Sequence, residues 1–260
     1  LNKAVFKCFF NFIKNSLMNL VIDIGNSKVK FFLFENNKTI HKEICDNPDF
    51  TKTLDSISNR NKIKNVITSS VSSNHDQYII ESLNNSKYIS LSNDNLLIPF
   101  KNNYKTKNSL GQDRIALVSS AIYNYPNQDN LIIDLGTCIT YDFVDSNKTY
   151  HGGAISPGFQ LRYTSLNTHT SNLPLLEFEE TENLIGSTTN ESIHSGIYNG
   201  VIAEVNNYID LLKKEYPNLN VIIVGGFSKF LLNRIKNAIF ADQDFLAQGL
   251  NYIINYNENR

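Results

Sequence analysis

A short phrase occurs twice in this chain, and the repeat limits the folds open to it more than any bulk property. Leu20-Val21-Ile22-Asp23-Ile24-Gly25-Asn26-Ser27 and Leu131-Ile132-Ile133-Asp134-Leu135-Gly136-Thr137-Cys138 are both apolar runs ending in Asp, one apolar residue, Gly and a small pair. Asp23 and Asp134 stand 111 positions apart, and the two copies align without a gap. Each then resumes an apolar-rich stretch, Lys28 to Phe34 in the first and Ile139 to Val144 in the second. The pattern predicts a buried strand, a tight turn at Gly and a return strand. Glycine lets the backbone approach a ligand with no Cβ in the way. Turn amides can then face anionic oxygens, and the Asp beside them can hold a cation directly or through water. Two such hairpins facing each other would grip a triphosphate from both sides.

The chain has 260 residues, 41% of them hydrophobic and 19% charged, enough for one large core or two modest domains. A formal net charge of −1 gives no electrostatic case for nucleic acid or an anionic membrane. Cys8, Cys45 and Cys138 are widely spaced with no CxxC pair, which argues against a disulfide framework or structural zinc and for a reducing cytoplasm. No apolar run approaches the ~20 residues of a membrane span. The histidines have no metal-ligand spacing, and His151 and His194 read as structural. Residues 1–17 stand apart, with Lys3, Lys7 and Lys14, no acid, and Val5, Phe9, Phe12 and Ile13 on one helical face. An amphipathic anchor or a poor secretory signal would fit, but Lys interrupts the apolar part and no small-residue cleavage site follows. Met18, the chain's one methionine, directly precedes the first motif strand, so 1–17 reads as an extension without a role.

After the first hairpin and a third strand from Lys38 to Ile44, the first half alternates: helix 49–60, strand 64–71, helix 77–83, strand 87–91. Gly111-Gln112-Asp113-Arg114 then opens an apolar helix from Ile115 to Tyr123. Pro126 and the polar 127–130 end it and mark a boundary between lobes 18–126 and 127–260. The second half repeats the plan. Thr149 to Gly158 is a strand broken by glycines and stopped by Pro157, and Leu161 to Asn167 is a helix. Asn190 to Leu212 is a helical pattern interrupted by Gly196 and Gly200. Asn220 to Val224 is a buried strand ending in Gly225-Gly226 with a helix to follow, and Phe245 to Tyr256 closes the chain as an amphipathic helix.

Laid out in this order, the motifs resemble those of the ASKHA superfamily of actin-like ATPases and sugar or acetate kinases, and within it the type III pantothenate kinases. That family carries Asp-x-Gly-Asn-(Ser/Thr), Gly-x-Asp-Arg, Asp-x-Gly-Thr and Gly-Gly-x-Ile-x-Pro-Gly, here Asp23 to Ser27, Gly111 to Arg114, Asp134 to Thr137 and Gly152 to Gly158. Gly186-Ser187-Thr188-Thr189, with Gly196 after it, looks like its late Gly-x-x-Thr element. One such element is weak, but five in order are strong. The resemblance implies an α/β fold of two duplicated ribonuclease H-like (actin-like ATPase) lobes, each a mixed βββαβαβ-type sheet flanked by helices. It also implies a cytoplasmic homodimer, with no nucleic-acid or membrane partner, that uses ATP with Mg²⁺ and K⁺ or NH₄⁺. The reaction would be phosphorylation of the primary hydroxyl of pantothenate, the first step toward coenzyme A. A nucleotide-binding regulator without turnover, and a kinase of another small hydroxylated acid, are the alternatives. Intact Asp23, Asp113, Arg114 and Asp134 speak against the regulator; the brevity of the chain and Gly111 to Arg114 speak against the other acceptor.

The implied roles each have a plainer counterpart. Asp23, Ile24, Gly25, Asn26, Ser27, Lys28, Val29 and Lys30 would hold ATP, with Asp23 near Mg²⁺; alone the stretch is a plain β-hairpin, and the second copy moves the reading to function. Lys28 and Lys30 are expected to point to opposite sides, leaving one of them on phosphate. Asp113 would align the acceptor hydroxyl and take its proton late in a loose transition state. A carboxylate in a first helical turn also suits the macrodipole, and it is the resemblance that decides for catalysis. Arg114 would offer its planar fork to a carboxylate or phosphate, or form an ordinary surface ion pair. Gly111 and Gln112 would lie against the same substrate, and Tyr104 would contact pantothenate or simply pack. Asp134 would bind the monovalent cation and Thr137 would touch ATP. Cys138 reads as a small buried residue. Gly152, Gly153 and Gly158 would admit close backbone approach, or mark a bulge. Thr189 would contact pantothenate across a dimer interface, or cap a helix, and Gly225-Gly226 would lie on the adenosine side. Deleting residues 1–17 is expected to leave turnover intact, and an inactive truncated enzyme would give that segment a role.

Overall fold

The computed structural model describes residues 17–258, apart from Asn26, Ser27, 71–74, Ser92, Asp94, Lys236 and Gln243. The N-terminal extension up to residue 16 therefore lies outside the described residues. Two compact units emerge, and neither is continuous in sequence. One takes the described residues up to Pro99 together with Asn108–Tyr123 and those from Leu246 onward; the other takes Phe100–Lys107 and Asn124–Phe245. Among the described residues no helix is long and apolar enough to cross a membrane.

In the first unit, β1 (Leu17–Ile24), β2 (Lys28–Glu35) and β3 (Lys38–Asp46) form an antiparallel meander. Helix α1 (Phe50–Arg60), β4 (Lys62–Ser70), α2 (Asp76–Ser82) and β5 (Lys87–Ser90) follow, giving a sheet of order β3-β2-β1-β4-β5. Alternation along β1 and β2 aims Leu20, Ile22, Ile24, Val29, Phe31 and Leu33 at one face, where they bury against Phe50, Leu54 and Ile57 of α1 and Ile79 of α2. At ~25 cal/mol per Å² of apolar surface, such burial is the main drive holding sheet to helices.

The second unit repeats this plan. A two-residue strand β6 (Lys101–Asn102) comes first; helix α3 (Gln112–Asn124), which follows it in sequence, belongs to the first unit except for Asn124. Then come β7 (Asn130–Leu135), β8 (Cys138–Val144), β9 (Thr149–Pro157), α4 (Phe159–Thr168), α5 (Thr189–Glu215), β10 (Asn220–Val224) and β11 (Ile239–Phe240). The order β11-β10-β7-β8-β9-β6 is the first sheet's order with one strand added, since β6 lies parallel to β9 at the edge. Leu131, Ile133, Leu135, Ile139, Tyr141 and Phe143 bury against Phe159 and Tyr163 of α4 and the Ile193 to Ile209 stripe of α5. Three expectations need correction. Helix α5 runs without a break, because the buried stripe from Ile193 to Ile209 outweighs the low helix propensity of Gly196 and Gly200. The helix expected after Gly226 is one short 3-10 turn, Ser228–Leu231, whose Phe230 packs, with Phe227 just before it, onto Phe178. Strand β9 is continuous through its glycines, with a bulge at His151, because Phe143 pairs with Gly152 but Val144 pairs with Tyr150.

The gapless repeat does not survive the turn. Ile24 pairs with Val29, leaving four residues in the first loop, whereas Leu135 pairs with Ile139, leaving three in the second. Ahead of the loops the core residues match at an offset of 111 (Ile22 with Ile133); beyond them they match at 110 (Val29 with Ile139, Phe31 with Tyr141). Keeping the ungapped offset would turn the core side chains of β8 outward, since a one-residue slip reverses every face.

Helix α6 (Phe245–Glu258) is fastened to the first sheet by amides. Asn19 of β1 donates to Asn251 Oδ1 (2.9 Å) and Asn255 Oδ1 (3.1 Å), and Asn65 of β4 donates to Asn19 Oδ1 (2.7 Å). Asn251 in turn donates to the Asn36 carbonyl (2.9 Å). Where α6 crosses α3, Gly249 is indispensable, since a Cβ would run into the Ala116 carbonyl. Asn19, Asn65 and Asn251 are all buried, so removing one strands the others in an apolar setting. Asn251→Ala is expected to lower the unfolding free energy by about 1–3 kcal/mol, read as a shift of the urea midpoint with the slope unchanged.

Candidate functional site

Each corner is built from a glycine amide closing a hairpin. In the first, Gly25 N–H donates to the Lys28 carbonyl (3.0 Å). Asp23 stands one residue short of the β1 end and faces Lys30 in register, and Lys30 Nζ donates to Asp23 Oδ2 at 3.2 Å. Lys28 and Lys30 share one face of β2 rather than opposing each other, because residues two apart on a strand point the same way; Val29 between them is in the core. Lys28 is exposed and Lys30 is tied to the aspartate. Ile24 and Val29 are buried, so only their backbones can meet a ligand. Asn26 and Ser27 lie outside the described residues.

In the second corner, Gly136 N–H donates to the Cys138 carbonyl (3.1 Å). The carboxylate of Asp134 is half-buried among backbones. A Cβ on Gly136 would come within 3.8 Å of Asp134 Oδ1, and one on Gly225 would collide with Asp134 Oδ1 and the Leu135 backbone. Gly225 sits at φ +94°, just past β10, which pairs with β7 to place Val224 beside Asp134. Gly158 N–H donates to the Thr137 carbonyl (3.0 Å), and a Cβ at 158 would strike the Gly136 and Thr137 carbonyls. Gly136 and Gly225 thus close on Asp134, and Gly158 backs the turn that Gly136 and Thr137 make. The residue across the strand from Asp134 is Thr140, a neutral group where the first corner has Lys30. Cys138 is exposed, contrary to the expectation of a buried residue, because it opens β8 on the side opposite to the core residue Ile139.

Asp113 is exposed in the first turn of α3 and Arg114 is buried. Asp113 Oδ1 accepts the Arg114 amide (2.8 Å), and the carboxylate folds over Gly111 so closely that any Cβ there would meet it. Burial removes Arg114 from the role of an ordinary surface ion pair. Gln112 is the first residue of α3 and is half-buried.

Tyr104 lies two residues beyond β6. Its amide donates to Asn102 Oδ1 (2.9 Å), and its ring covers Gly152, whose Cβ would sit 3.4 Å from Tyr104 Cδ2. Gly152 has φ +101°, which L side chains rarely adopt. Gly153 is held against the Tyr141 carbonyl, where no side chain fits. Thr189 is the first residue of α5; the N-cap is Thr188, whose hydroxyl accepts from the Glu191 amide (3.2 Å). Thr189 borders a cavity of about 890 Å³ that Arg162, Leu166 and Ile193 also line. Behind Arg162, Glu204 accepts from Arg162 Nη2 (2.5 Å), Ser156 Oγ (2.5 Å) and Tyr141 Oη (2.8 Å). Burial alone would push the Glu204 carboxyl up, but the Ser156, Arg162 and Tyr141 donors hold it below its usual range, while burial and that same carboxylate push the Tyr141 phenol up. Among the described residues no group of three or more His, Cys, Asp and Glu could hold a metal by itself.

Sequence reasoning passed over Asp142, which is fully buried in β8 and accepts from Tyr150 Oη (2.7 Å) and Thr140 Oγ1 (3.2 Å). Its signal was present: an acid inside the apolar run Ile139 to Val144 is a buried charge that must be hydrogen-bonded. The second corner also yields a direct test. Gly225→Ala adds backbone strain and a collision with Asp134, and is expected to lower stability by roughly 2 kcal/mol or more, measured by chemical denaturation; a variant as stable as the parent would mean that the close approach is dispensable.

The family model described as type III pantothenate kinase matches residues 19–211. The type III pantothenate kinase of Flavobacterium psychrophilum is 41% identical over 240 residues, covering 92% of this chain and 99% of its own. That of Christiangramia forsetii is 41% identical over 244 residues, covering 94% and 100%. Among solved structures, a Campylobacter jejuni protein titled a conserved putative Baf family transcriptional activator aligns with TM-score 0.58 at 24% identity, over 93% of this chain and all of that one. A putative N-acetylmannosamine kinase from Listeria monocytogenes aligns with TM-score 0.56 at 12% identity, over 94% of this chain and all of that one. Likeness at these identities speaks to the fold alone, which is that of the actin-like ATPases and kinases. With its motifs in order, its two sheets laid out on one plan and these relatives matched nearly end to end, the chain belongs to the type III pantothenate kinase family.

Proposed function

We propose that Asp113 accepts the proton of the primary hydroxyl of pantothenate as that oxygen takes the γ-phosphoryl group of ATP. The chain is an ATP-dependent pantothenate kinase, acting at the first step toward coenzyme A. In the transfer the hydroxyl O–H bond breaks toward Asp113, the new O–P bond forms, and the bond to the bridging oxygen of ADP breaks. The observation that carries this role is the exposed carboxylate at the start of α3, held over Gly111 by the Arg114 amide in a place where any other residue at 111 would displace it. Phosphoryl transfer asks little covalent chemistry of a protein, so a carboxylate aimed at the acceptor and donors aimed at the phosphates are the parts that matter. Gly111, Gln112, Arg114 and Tyr104 line the pantothenate side. Gly25 to Lys30 and Thr137 attend the nucleotide, with Lys30 the cation at the phosphates.

Asp23 fits one ligand of a Mg²⁺ that takes its other oxygens from phosphates and water, which is how Mg²⁺ is usually held. When bound, that ion offsets the charge of the transferring phosphoryl group. Asp134 fits a monovalent cation, K⁺ or NH₄⁺. Its carboxylate is set among backbone groups, and Thr140 opposite brings no positive charge, whereas the first corner holds its own lysine. The enzyme works as a cytoplasmic homodimer in which Thr189 of the partner subunit reaches pantothenate. The exposed Leu175, Leu184 and Ile185 ahead of α5 support an interface there. A coupled ADP-release assay with pantothenate, with and without K⁺, tests the reading. Asp113→Asn is expected to lower kcat about 100-fold or more with the KM for ATP little changed, and near-parental turnover would remove Asp113 from the chemistry.

A further inference from the structure

The edge strand β6 has no counterpart in the first sheet, and what it delivers is Tyr104. Lys101 and Asn102 pair with Thr149 and Tyr150 of β9, the Asn103 amide donates to the Tyr150 carbonyl (3.1 Å), and the next residue is Tyr104. The Tyr104 ring then rests against two neighbours on β9. One is the bare backbone of Gly152 at the β9 bulge. The other is the Tyr150 ring, 6.2 Å away between centroids and tilted by 34°, with Phe100 against Tyr150 as well at 5.8 Å. Tyr150 is fully buried, and its hydroxyl is spent on Asp142, which is buried too and steadied by Thr140. Burying a carboxylate costs free energy unless its hydrogen bonds are made, and a buried tyrosine hydroxyl without an acceptor would cost as well. The pair therefore holds one ring orientation firmly, and that ring is the wall behind Tyr104.

We infer that Asp142 and Tyr150 are positioning residues for the acceptor site, setting the Tyr104 ring against Gly152 so that it meets pantothenate at a fixed angle. Neither touches the reacting atoms. The inference rests on the reading of Tyr104 as a pantothenate contact, and the experiment keeps the two apart by measuring KM and kcat for pantothenate and for ATP in four variants. Tyr104→Leu tests the contact itself. Tyr150→Phe keeps the ring and removes the hydroxyl; Asp142→Asn keeps an acceptor for that hydroxyl; Gly152→Ala, at the cost of some backbone strain, presses a methyl toward the Tyr104 ring and serves as a second probe. The expected pattern is a KM for pantothenate raised about tenfold in Tyr104→Leu and about three- to tenfold in Tyr150→Phe and Gly152→Ala, the range for losing one good hydrogen bond. The KM for ATP stays put, and Asp142→Asn, which keeps an acceptor for the Tyr150 hydroxyl, raises the KM for pantothenate less than Tyr150→Phe does. A loss of stability alone lowers the active fraction and hence apparent kcat, but does not move KM. A raised KM in Tyr104→Leu with parental values in both Tyr150→Phe and Gly152→Ala would overturn the positioning role and leave the contact standing. A parental KM in Tyr104→Leu would overturn the contact, and the positioning role with it.

Discussion

What stands across the strand from each corner aspartate is decided by a single loop residue. Four residues between Ile24 and Val29 bring Lys30 opposite Asp23, and three between Leu135 and Ile139 bring Thr140 opposite Asp134. Because side chains alternate, the difference cannot be absorbed by sliding the strand without turning its core face outward. Duplication supplied the two hairpins with one plan, and the loop length made them electrostatically unlike. The first carries a paired charge suited to a ligand's anionic end. The second sets its carboxylate opposite a hydroxyl, in a nest of glycine backbones that leaves room for nothing larger than Gly at 225 and 158.

Buried polar chemistry, rather than apolar surface, gives the two units their individual character. In the first, the amides of Asn19, Asn65 and Asn251 satisfy one another between sheet and helix. In the second, Asp142 and Tyr150 share a hydrogen bond, and Glu204 gathers Tyr141, Ser156 and Arg162. Such networks add less net stability than apolar packing of the same volume, but they tolerate few alternative arrangements. Sites that need an angle as well as a distance gain from that intolerance.

Much of this could be read from the order of residues. The continuous apolar run Asn220 to Val224 is a strand with those same limits, and the acid at the start of an apolar helix placed Asp113 correctly on α3. What escaped did so for physical reasons. An offset between two motifs counts residues and not cross-strand register, so the shorter second loop was invisible, and Cys138 was taken for a buried residue when it opens β8 on the exposed side. A strand of two residues such as β6 has no periodicity to detect. The stretch after Gly226 has helical spacing at Phe227, Phe230 and Leu231, yet its aromatics are claimed by Phe178, which is distant in sequence. Gly196 and Gly200 were read as breaks, but a glycine in a helix costs only about 1 kcal/mol, less than the buried stripe of α5 returns.

The amide ladder under α6 also bears on how the molecule comes into being. Asn19 finds its partner 232 positions later, so the sheet that leaves the ribosome first stays open along one face until the end of the chain has been made. At roughly 5–20 residues per second, that interval is on the order of ten to forty seconds. Over this time the nascent first unit exposes a mixed face, in which Asn19 and Asn65 stand among Val21, Phe32, Phe34 and Ile67. The two asparagines interrupt an otherwise apolar surface, which α6 covers when it arrives.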